Sequence, residues 1–194
     1  FGNIVSGQTL SATGSGTVSS ANVGTGKTVT SVNLALANGT GLASNYSINS
    51  LNAEVTGRPV TISGSRAYDS TTTASSSILT ITSGVSGESL SLTGSGVLGA
   101  ASAGTQTITN NNTLAIADGS GGLASNYTLS GATINVTIIP RTLNVSLSRE
   151  YDGTTSVSGS SLTPTFDSLQ GGETLALSGT GSVSTANVGS SKAV

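Results

Sequence analysis

Apolar and polar residues alternate with a period of two in short runs along the whole chain. Val60 and Ile62 alternate in one run, and Leu90 and Leu92 alternate in another. Runs of the same kind contain Val32, Leu34 and Leu36; Leu114 and Ile116; Ile134, Val136 and Ile138; Leu143, Val145 and Leu147; and Leu175 and Leu177. Gly, Asn, Asp or Ser flanks each run, which is typical of half-buried strands separated by turns. The sequence has no amphipathic helical pattern, so we predict an all-β protein.

The runs recur with a period of about 80 residues. Residues 1–29 match residues 166–194 without gaps, and a middle copy lies between them. A repeat must be recognised before a fold is assigned. The period predicts the C-terminal part of one repeat in 1–57, a complete repeat in 58–140, and the N-terminal part of a further repeat in 141–194. We therefore expect the chain to be a section of a longer array.

Each repeat should contain six to eight short strands, with turn residues every 8–12 positions. This spacing favours tandem small β-sandwich-like modules, either Ig-like or β-grasp-like. The alternative is a parallel β-helix, whose coils should give a period of about 20–30 residues. The sequence shows the longer period, so the modular fold is the preferred prediction.

The composition argues against several classes of function. Charged residues make up 7% of the chain, against about 25% in an average protein. The six basic residues are scattered, so no phosphate-binding patch and no nucleic-acid partner are expected. With no His and no Cys, we find no nucleophile–base pair and no thiolate metal site, and we predict neither enzymatic activity nor a cofactor. No apolar run reaches the ~18 residues of a membrane span, so membrane insertion of this segment is not expected.

A Tyr-Asp pair recurs as Tyr68-Asp69 and Tyr151-Asp152. Asp152 can accept backbone N–H groups in an Asx-turn, and Gly153 can adopt positive φ. The middle copy has Ser70 in place of the glycine, so its turn should differ or be strained. The two aspartates could instead be metal ligands, but a single carboxylate per repeat is too few.

The block Leu-Ala-Ser-Asn-Tyr recurs and ends at Tyr46 and Tyr127. We expect both tyrosines to be half-buried anchors whose hydroxyls bind backbone groups, rather than platforms for stacking a ligand. The stretches 37–41 and 117–122 that precede the block contain Asn-Gly and Asp-Gly, which predict hairpin turns.

Lys27 and Lys192 end equivalent Asn-Val-Gly-x-x-Lys runs, and the middle copy has Thr107 in roughly that place. We interpret both lysines as solvated residues at strand ends. The alternative is an intramolecular isopeptide link to Asn, which the variation between copies does not favour.

Four runs together resemble the YDG-type and related MBG-type repeats of very large bacterial surface proteins. They are Tyr-Asp-Gly-Thr-Thr at 151–155, Asn-Val-Gly-x-x-Lys, Leu-Ala-Ser-Asn-Tyr-Thr-Leu, and Ile-Ile-Pro-Arg-Thr-Leu-Asn-Val at 138–145. Such repeats often accompany a filamentous-haemagglutinin-like secretion region. The resemblance implies an extracellular array of β modules, at the cell surface or secreted, with no active site to carry over.

Three functions are compatible with this reading. The first is a stalk or adhesive array for cell–cell or biofilm contact, whose partners are the neighbouring repeats of the same chain. The second is a self-assembling filament, sheath or matrix subunit, in which identical chains join by strand addition. The third is a module binding host or matrix glycans, for which a chain with no Trp and four Tyr supplies few aromatic platforms.

Overall fold

The computed structural model describes residues 2–30 and 33–194, and the fold is all-β, as predicted. The described strands, in chain order, are β1 (Leu10–Thr13), β2 (Thr17–Val18), β3 (Gly24–Thr30), β4 (Ala35–Asn38), β5 (Asn52–Val55), β6 (Arg58–Ala67), β7 (Thr73–Ser75), β8 (Leu79–Thr82), β9 (Leu90–Thr93), β10 (Ser95–Leu98), β11 (Gly104–Asn110), β12 (Ala115–Asp118), β13 (Tyr127–Ile139), β14 (Val145–Ser148), β15 (Ser156–Ser158), β16 (Thr163–Phe166) and β17 (Thr180–Ser182).

Helical structure in the described residues is limited to short 3-10 turns. They are Ala43–Asn45, Ser76–Ile78, Ala124–Asn126 and Gly159–Ser161. No helix in this part of the chain has the length and apolar character needed to cross a membrane.

A six-stranded sheet in the order β7-β10-β11-β13-β6-β8 forms the centre of the structure. All of its neighbours are antiparallel except β13 and β6, which pair in parallel in the middle of the sheet. The parallel pair joins the first strand after Gly57 to the last strand before Pro140. The first and the last strand of the middle repeat are therefore direct neighbours in the sheet.

The core lies on one face of this sheet, because the period-two pattern turns alternate side chains inward. Val60, Ile62, Val136 and Ile138 are each at most 2% exposed. The antiparallel pair β9-β12 covers part of this face and contributes Leu90, Leu92 and Ile116. The opposite face of β6 and β13 is exposed and polar, with Thr, Ser and Asn at most positions.

The flanking repeats reproduce parts of the same plan. The first contains the pair β1-β4 and the sheet β2-β3-β5, which correspond to β9-β12 and β10-β11-β13. The last contains β14-β16 and β15-β17, which correspond to β6-β8 and β7-β10. This layered, largely antiparallel arrangement differs from the stacked parallel coils of a β-helix, and that alternative is not observed. The repeat boundaries at 57/58 and 140/141 stay a prediction.

The structure corrects two local expectations. The run containing Leu175 and Leu177 is not a strand, and Leu175 is 52% exposed. The equivalent strand of the middle repeat, β9, pairs with β12. No described segment after β16 is equivalent to β12, so within the described residues the run has no strand to pair with. Val32, in another predicted run, lies outside the described residues.

The stretches 37–41 and 117–122 are turns, but not hairpin turns. β4 pairs with β1 and β12 pairs with β9, so neither strand pairs with the segment that follows its turn. Asn38 Oδ1 accepts from the Ala43 N–H at 2.8 Å, and Asp118 Oδ1 accepts from the Ala124 N–H at 2.7 Å. The Asn and Asp side chains therefore tie each strand end to the 3-10 turn that follows.

Candidate functional site: turn clips and repeat junctions

The recurring Arg-x-Tyr-Asp block folds into a compact turn after β6, which we call the turn clip. Asp69 Oδ1 accepts hydrogen bonds from the N–H and the hydroxyl of Thr71, both at 2.9 Å. The Arg66 guanidinium forms an ion pair with the same carboxylate and donates to the Thr71 carbonyl. One arginine thus joins both sides of the turn and neutralises the aspartate within it.

The last repeat builds the same turn clip from Arg149, Asp152 and Thr154. Asp152 Oδ1 accepts from the Thr154 N–H at 2.9 Å and from its hydroxyl at 3.0 Å. Arg149 pairs with Asp152 and donates to the Thr154 carbonyl at 2.5 Å. The Asx-turn was predicted from the sequence, whereas the arginine was missed. The signal was present, because an arginine precedes the aspartate by three residues in both copies.

The residue after the aspartate of each turn clip has positive φ. Gly153 adopts this conformation as expected, whereas for Ser70 it is strained. The values are +77° for Gly153 and +64° for Ser70. A residue with a Cβ pays about 1–2 kcal/mol in this region. The middle repeat therefore keeps the same turn and carries the strain of the serine.

This difference predicts opposite effects for two reciprocal substitutions. Ser70→Gly should raise the free energy of unfolding by about 0.5–1 kcal/mol, because the relieved strain exceeds the added chain entropy. Gly153→Ser should lower it by a similar amount. Urea denaturation followed by far-UV circular dichroism measures both. If Ser70→Gly destabilises the chain, the serine is held by interactions that outweigh its strain.

Acid should weaken the last repeat through two carboxylates. The Thr154 N–H, with help from Arg149, lowers the pKa of Asp152 from its usual 3.8, and the Asn144 side chain and N–H lower the pKa of Asp167. A pKa lowered by folding gives stability that is present above the unfolded-state value and lost as pH falls through the folded-state value.

We therefore expect the free energy of unfolding to decline from about pH 4 downward. Asp152→Asn, which keeps the shape but removes the titration, should make this decline shallower. Urea denaturation at stepped pH between about 5 and 2 measures it. Identical pH profiles for the variant and the parent would show that Asp152 is not a source of the acid sensitivity.

Tyr46 and Tyr127 hold equivalent places and bind equivalent side chains. The Tyr46 hydroxyl donates to Gln8 Oε1 at 2.5 Å, and the Tyr127 hydroxyl donates to the Glu88 carboxylate. The bond to Glu88 raises the pKa of Tyr127 above 10.0. Tyr127 is buried and Tyr46 half-buried, so both are anchors, but their main hydroxyl partners are side chains rather than the expected backbone groups.

Tyr68 and Tyr151 occupy equivalent positions but have different surroundings. The Tyr68 ring packs against the core, and its hydroxyl donates to the Glu173 carboxylate of the last repeat. This bond raises the pKa of Tyr68 above 10.0. Tyr151 is 66% exposed. Tyr68 therefore links the middle and last repeats, a contact that the sequence did not predict.

The first and middle repeats are joined by Asn126, at the end of the Ala124–Asn126 turn. Its Oδ1 accepts from the Val23 N–H at 2.9 Å, and its Nδ2 donates to Asn22 Oδ1 at 3.0 Å. The Asn126 side chain is thus hydrogen-bonded to both a backbone group and a side chain of the first repeat. Each junction is bridged by a side chain from the middle repeat.

The two predicted lysines lie in different environments. Lys192 Nζ donates to the Thr185 carbonyl at 3.0 Å, to the Thr185 hydroxyl at 2.7 Å and to the Asn187 carbonyl. Within the described residues, the Lys27 ammonium has no hydrogen bond or ion pair, although its stem lies beside Gly24. Lys192 is thus bonded within its own turn rather than solvated, and Lys27 is half-buried in the middle of β3 rather than solvated at a strand end.

The described residues include the linings of two cavities. One, of about 350 Å³, lies between the middle and last repeats and is lined by Leu143, Leu169 and Leu175 together with Tyr68 and Glu173. The other, of about 630 Å³, lies within the last repeat. No group of three or more His, Cys, Asp or Glu side chains that could hold a metal ion occurs in the described part of the chain.

The comparisons with known proteins agree with the repeated geometry. A model of the YDG domain family matches residues 52–136 and, a second time, residues 135–194. Neither the curated proteins nor the solved structures gave a match. The matched residues cover more than two thirds of the chain and include both turn clips, and the chain belongs to the YDG domain family.

Proposed function

We propose that the chain is a spacer segment in the repeat region of a large extracellular bacterial surface protein. In this role it separates a distal adhesive region from the cell, or forms part of an adhesive array between cells. Membership of the YDG domain family and a sequence with few charged residues and no His or Cys support this role. The proposal includes no enzymatic activity and no cofactor.

The bridged junctions are the observation that carries the proposal. Asn126 joins the middle repeat to the first, and Tyr68 joins it to the last through Glu173. A spacer must hold the distal region at a set distance from the cell, so the distance and orientation between neighbouring repeats must be fixed. Repeats joined only by flexible linkers would occupy a broad range of distances instead.

Labelling of intact cells tests the proposed location. An antibody raised against this chain should label the surface of unpermeabilised cells of the source organism, and the label should be lost after external protease treatment. Labelling only after permeabilisation would contradict the extracellular role. A glycan array run with the same purified chain separates a passive spacer from a glycan-binding module.

The Asn126 bridge predicts how the first junction responds to mutation. Asn126→Ala should broaden the distance distribution between nitroxide labels at Thr28→Cys and Thr80→Cys, because it removes both hydrogen bonds to the first repeat. The chain has no native cysteine, so the labels attach only at those positions. Double electron–electron resonance measures the distribution.

Asn45→Ala is the matched control. Asn45 has the equivalent place in the first repeat, and its side chain makes no hydrogen bond within the described residues. This variant should leave the distribution unchanged. Equal broadening in both variants, or none in Asn126→Ala, would show that the bridge does not set the junction.

Two unpaired strand edges favour assembly of identical chains as a second candidate. In the described residues β5 pairs only with β3, and β14 pairs only with β16. Their counterparts in the middle repeat, β13 and β6, pair with each other in parallel. Strand addition between β14 of one chain and β5 of another would reproduce that pair. If light scattering shows a monomer at every protein concentration, assembly by strand addition is excluded.

A further inference from the structure

The first and last strands of the middle repeat are direct neighbours in parallel orientation. Seven consecutive pairs run from Thr133↔Thr61 to Ile139↔Ala67. Two more, Tyr127↔Arg58 and Thr128↔Pro59, lie before a register shift between Thr128 and Thr133. The chain enters the repeat at the Arg58 end of this pair and leaves it at the Ile139 end. These two points lie at opposite ends of the paired strands.

Tension along the chain would therefore act parallel to the β6·β13 ladder. The two strands would be pulled past each other, and the evenly spaced hydrogen bonds of a parallel pair would share the load at once. In the opposite geometry, where both strands are pulled from the same end, the bonds would carry the load one after another. The topology selects the first case for a force transmitted from repeat to repeat.

Packing adds to the resistance of this pair. Its inward side chains are among the best buried in the described chain, with Val136 at 0%, Ile62 and Ile138 at 1% and Val60 at 2% exposure. Sliding β6 against β13 would move these side chains through a close-packed interior, where there is no free volume to receive them.

The neighbouring structure secures both strands. β13 also pairs with β11, and β6 also pairs with β8, so neither is an edge strand. The Tyr68 N–H donates to the Ile139 carbonyl at 2.9 Å, which extends the ladder beyond the end of β6. The pair is therefore held on both sides and at the end where β13 leaves.

We propose that the middle repeat is a mechanical clamp that bears tension along the chain through shear of the β6·β13 pair. The proposal rests on the spacer role only for the source of the force, because the shear geometry is a property of the repeat itself. The repeat would then have two functions: it separates a distal region from the cell, and it resists unfolding under tension.

Single-molecule pulling of the full chain in two geometries tests the clamp. In the shear geometry the handles are attached at Gly57→Cys and Pro140→Cys, outside opposite ends of the pair. In the peel geometry they are attached at Ala67→Cys and Pro140→Cys, which lie at the same end. The absence of native cysteine makes both attachments specific.

Contour length identifies the unfolding event in each geometry. At ~3.4 Å per residue, the shear handles should release about 280 Å and the peel handles about 250 Å, less the folded separation. At the same loading rate, the rupture force should be several times larger in shear than in peel. Equal rupture forces in the two geometries would overturn the clamp.

Two further measurements keep the comparison decisive. Urea denaturation of both double-cysteine chains should give the same midpoint, so that a force difference reflects geometry rather than stability. A second same-end pair, Gly57→Cys with Ser130→Cys, repeats the peel geometry at the other end of the strands. If the repeat resists shear strongly but the antibody does not label the surface of intact cells, the clamp is supported and the proposed extracellular function is contradicted.

Discussion

Replacing Gly94 with alanine should destabilise the middle repeat by about 3 kcal/mol, through backbone strain and a collision that cannot relax. Gly94 lies between β9 and β10 with φ at +75°. A Cβ at this position would overlap the Thr113 carbonyl. Thr113 cannot move away easily, because two hydrogen bonds of 3.1 Å hold it to Ser95. The Thr113 N–H donates to the Ser95 carbonyl, and the Ser95 N–H donates to the Thr113 hydroxyl. Hydrogen exchange of the β10 and β11 amides measures the loss.

Gly87→Ala separates the two sources of this cost. Gly87 has a similar φ of +81°, but a Cβ there would have no atom within 4 Å. It should therefore cost only the conformational part, about 1 kcal/mol. If the two variants lose the same stability, the close approach of Thr113 contributes nothing and the explanation for Gly94 is wrong.

Ile138→Ala should cost about 3 kcal/mol, because it removes a fully buried side chain from the centre of the core. Ile138 is 1% exposed on β13 and packs in a cluster with Ala74, Leu98 and Val136. The shortened side chain leaves a cavity that the surrounding strands can fill only partly. Urea denaturation followed by hydrogen exchange at β13 measures the change.

Ile139→Ala is the matched control on the same strand. Ile139 points to the opposite face and is 50% exposed, so its truncation should change stability by no more than about 0.5 kcal/mol. A comparable loss in both variants would mean that the outer face of the sheet is also covered. That result would contradict the one-sided core.

The buried positions of the sheet could be predicted from the sequence, because a period of two assigns alternate residues to one face. Val60, Ile62, Ile134, Val136 and Ile138 were all predicted to alternate inward, and all are buried. The partners of these strands could not be predicted in the same way. The same alternation fits a parallel or an antiparallel neighbour, so the β6·β13 pairing is not contained in either strand alone.

Side-chain partners were harder to predict where they lie far apart in the sequence. The Asx-turn at Asp152 involves residues two positions apart, and local chemistry was sufficient to predict it. Glu173 lies 105 residues from Tyr68, and no short-range pattern relates the two. Gln8, Glu88 and Glu173 do recur at equivalent positions before a leucine, which marks them as a set but does not name their partners.

The Leu175–Leu177 run shows a different limit. Its alternation equals that of β9, yet it is not a strand, because a strand needs a partner as well as a pattern. Alternation therefore predicts which segments can form strands, whereas pairing decides which of them do.

The distance between labels in the first and last repeats tests most directly whether the three repeats hold a fixed relation to one another. Nitroxides at Thr28→Cys and Ser182→Cys lie on exposed positions of β3 and β17, on either side of both bridged junctions. Double electron–electron resonance should give one narrow distance distribution that does not change with protein concentration. A broad distribution, like that of modules on flexible linkers, would contradict the spacer.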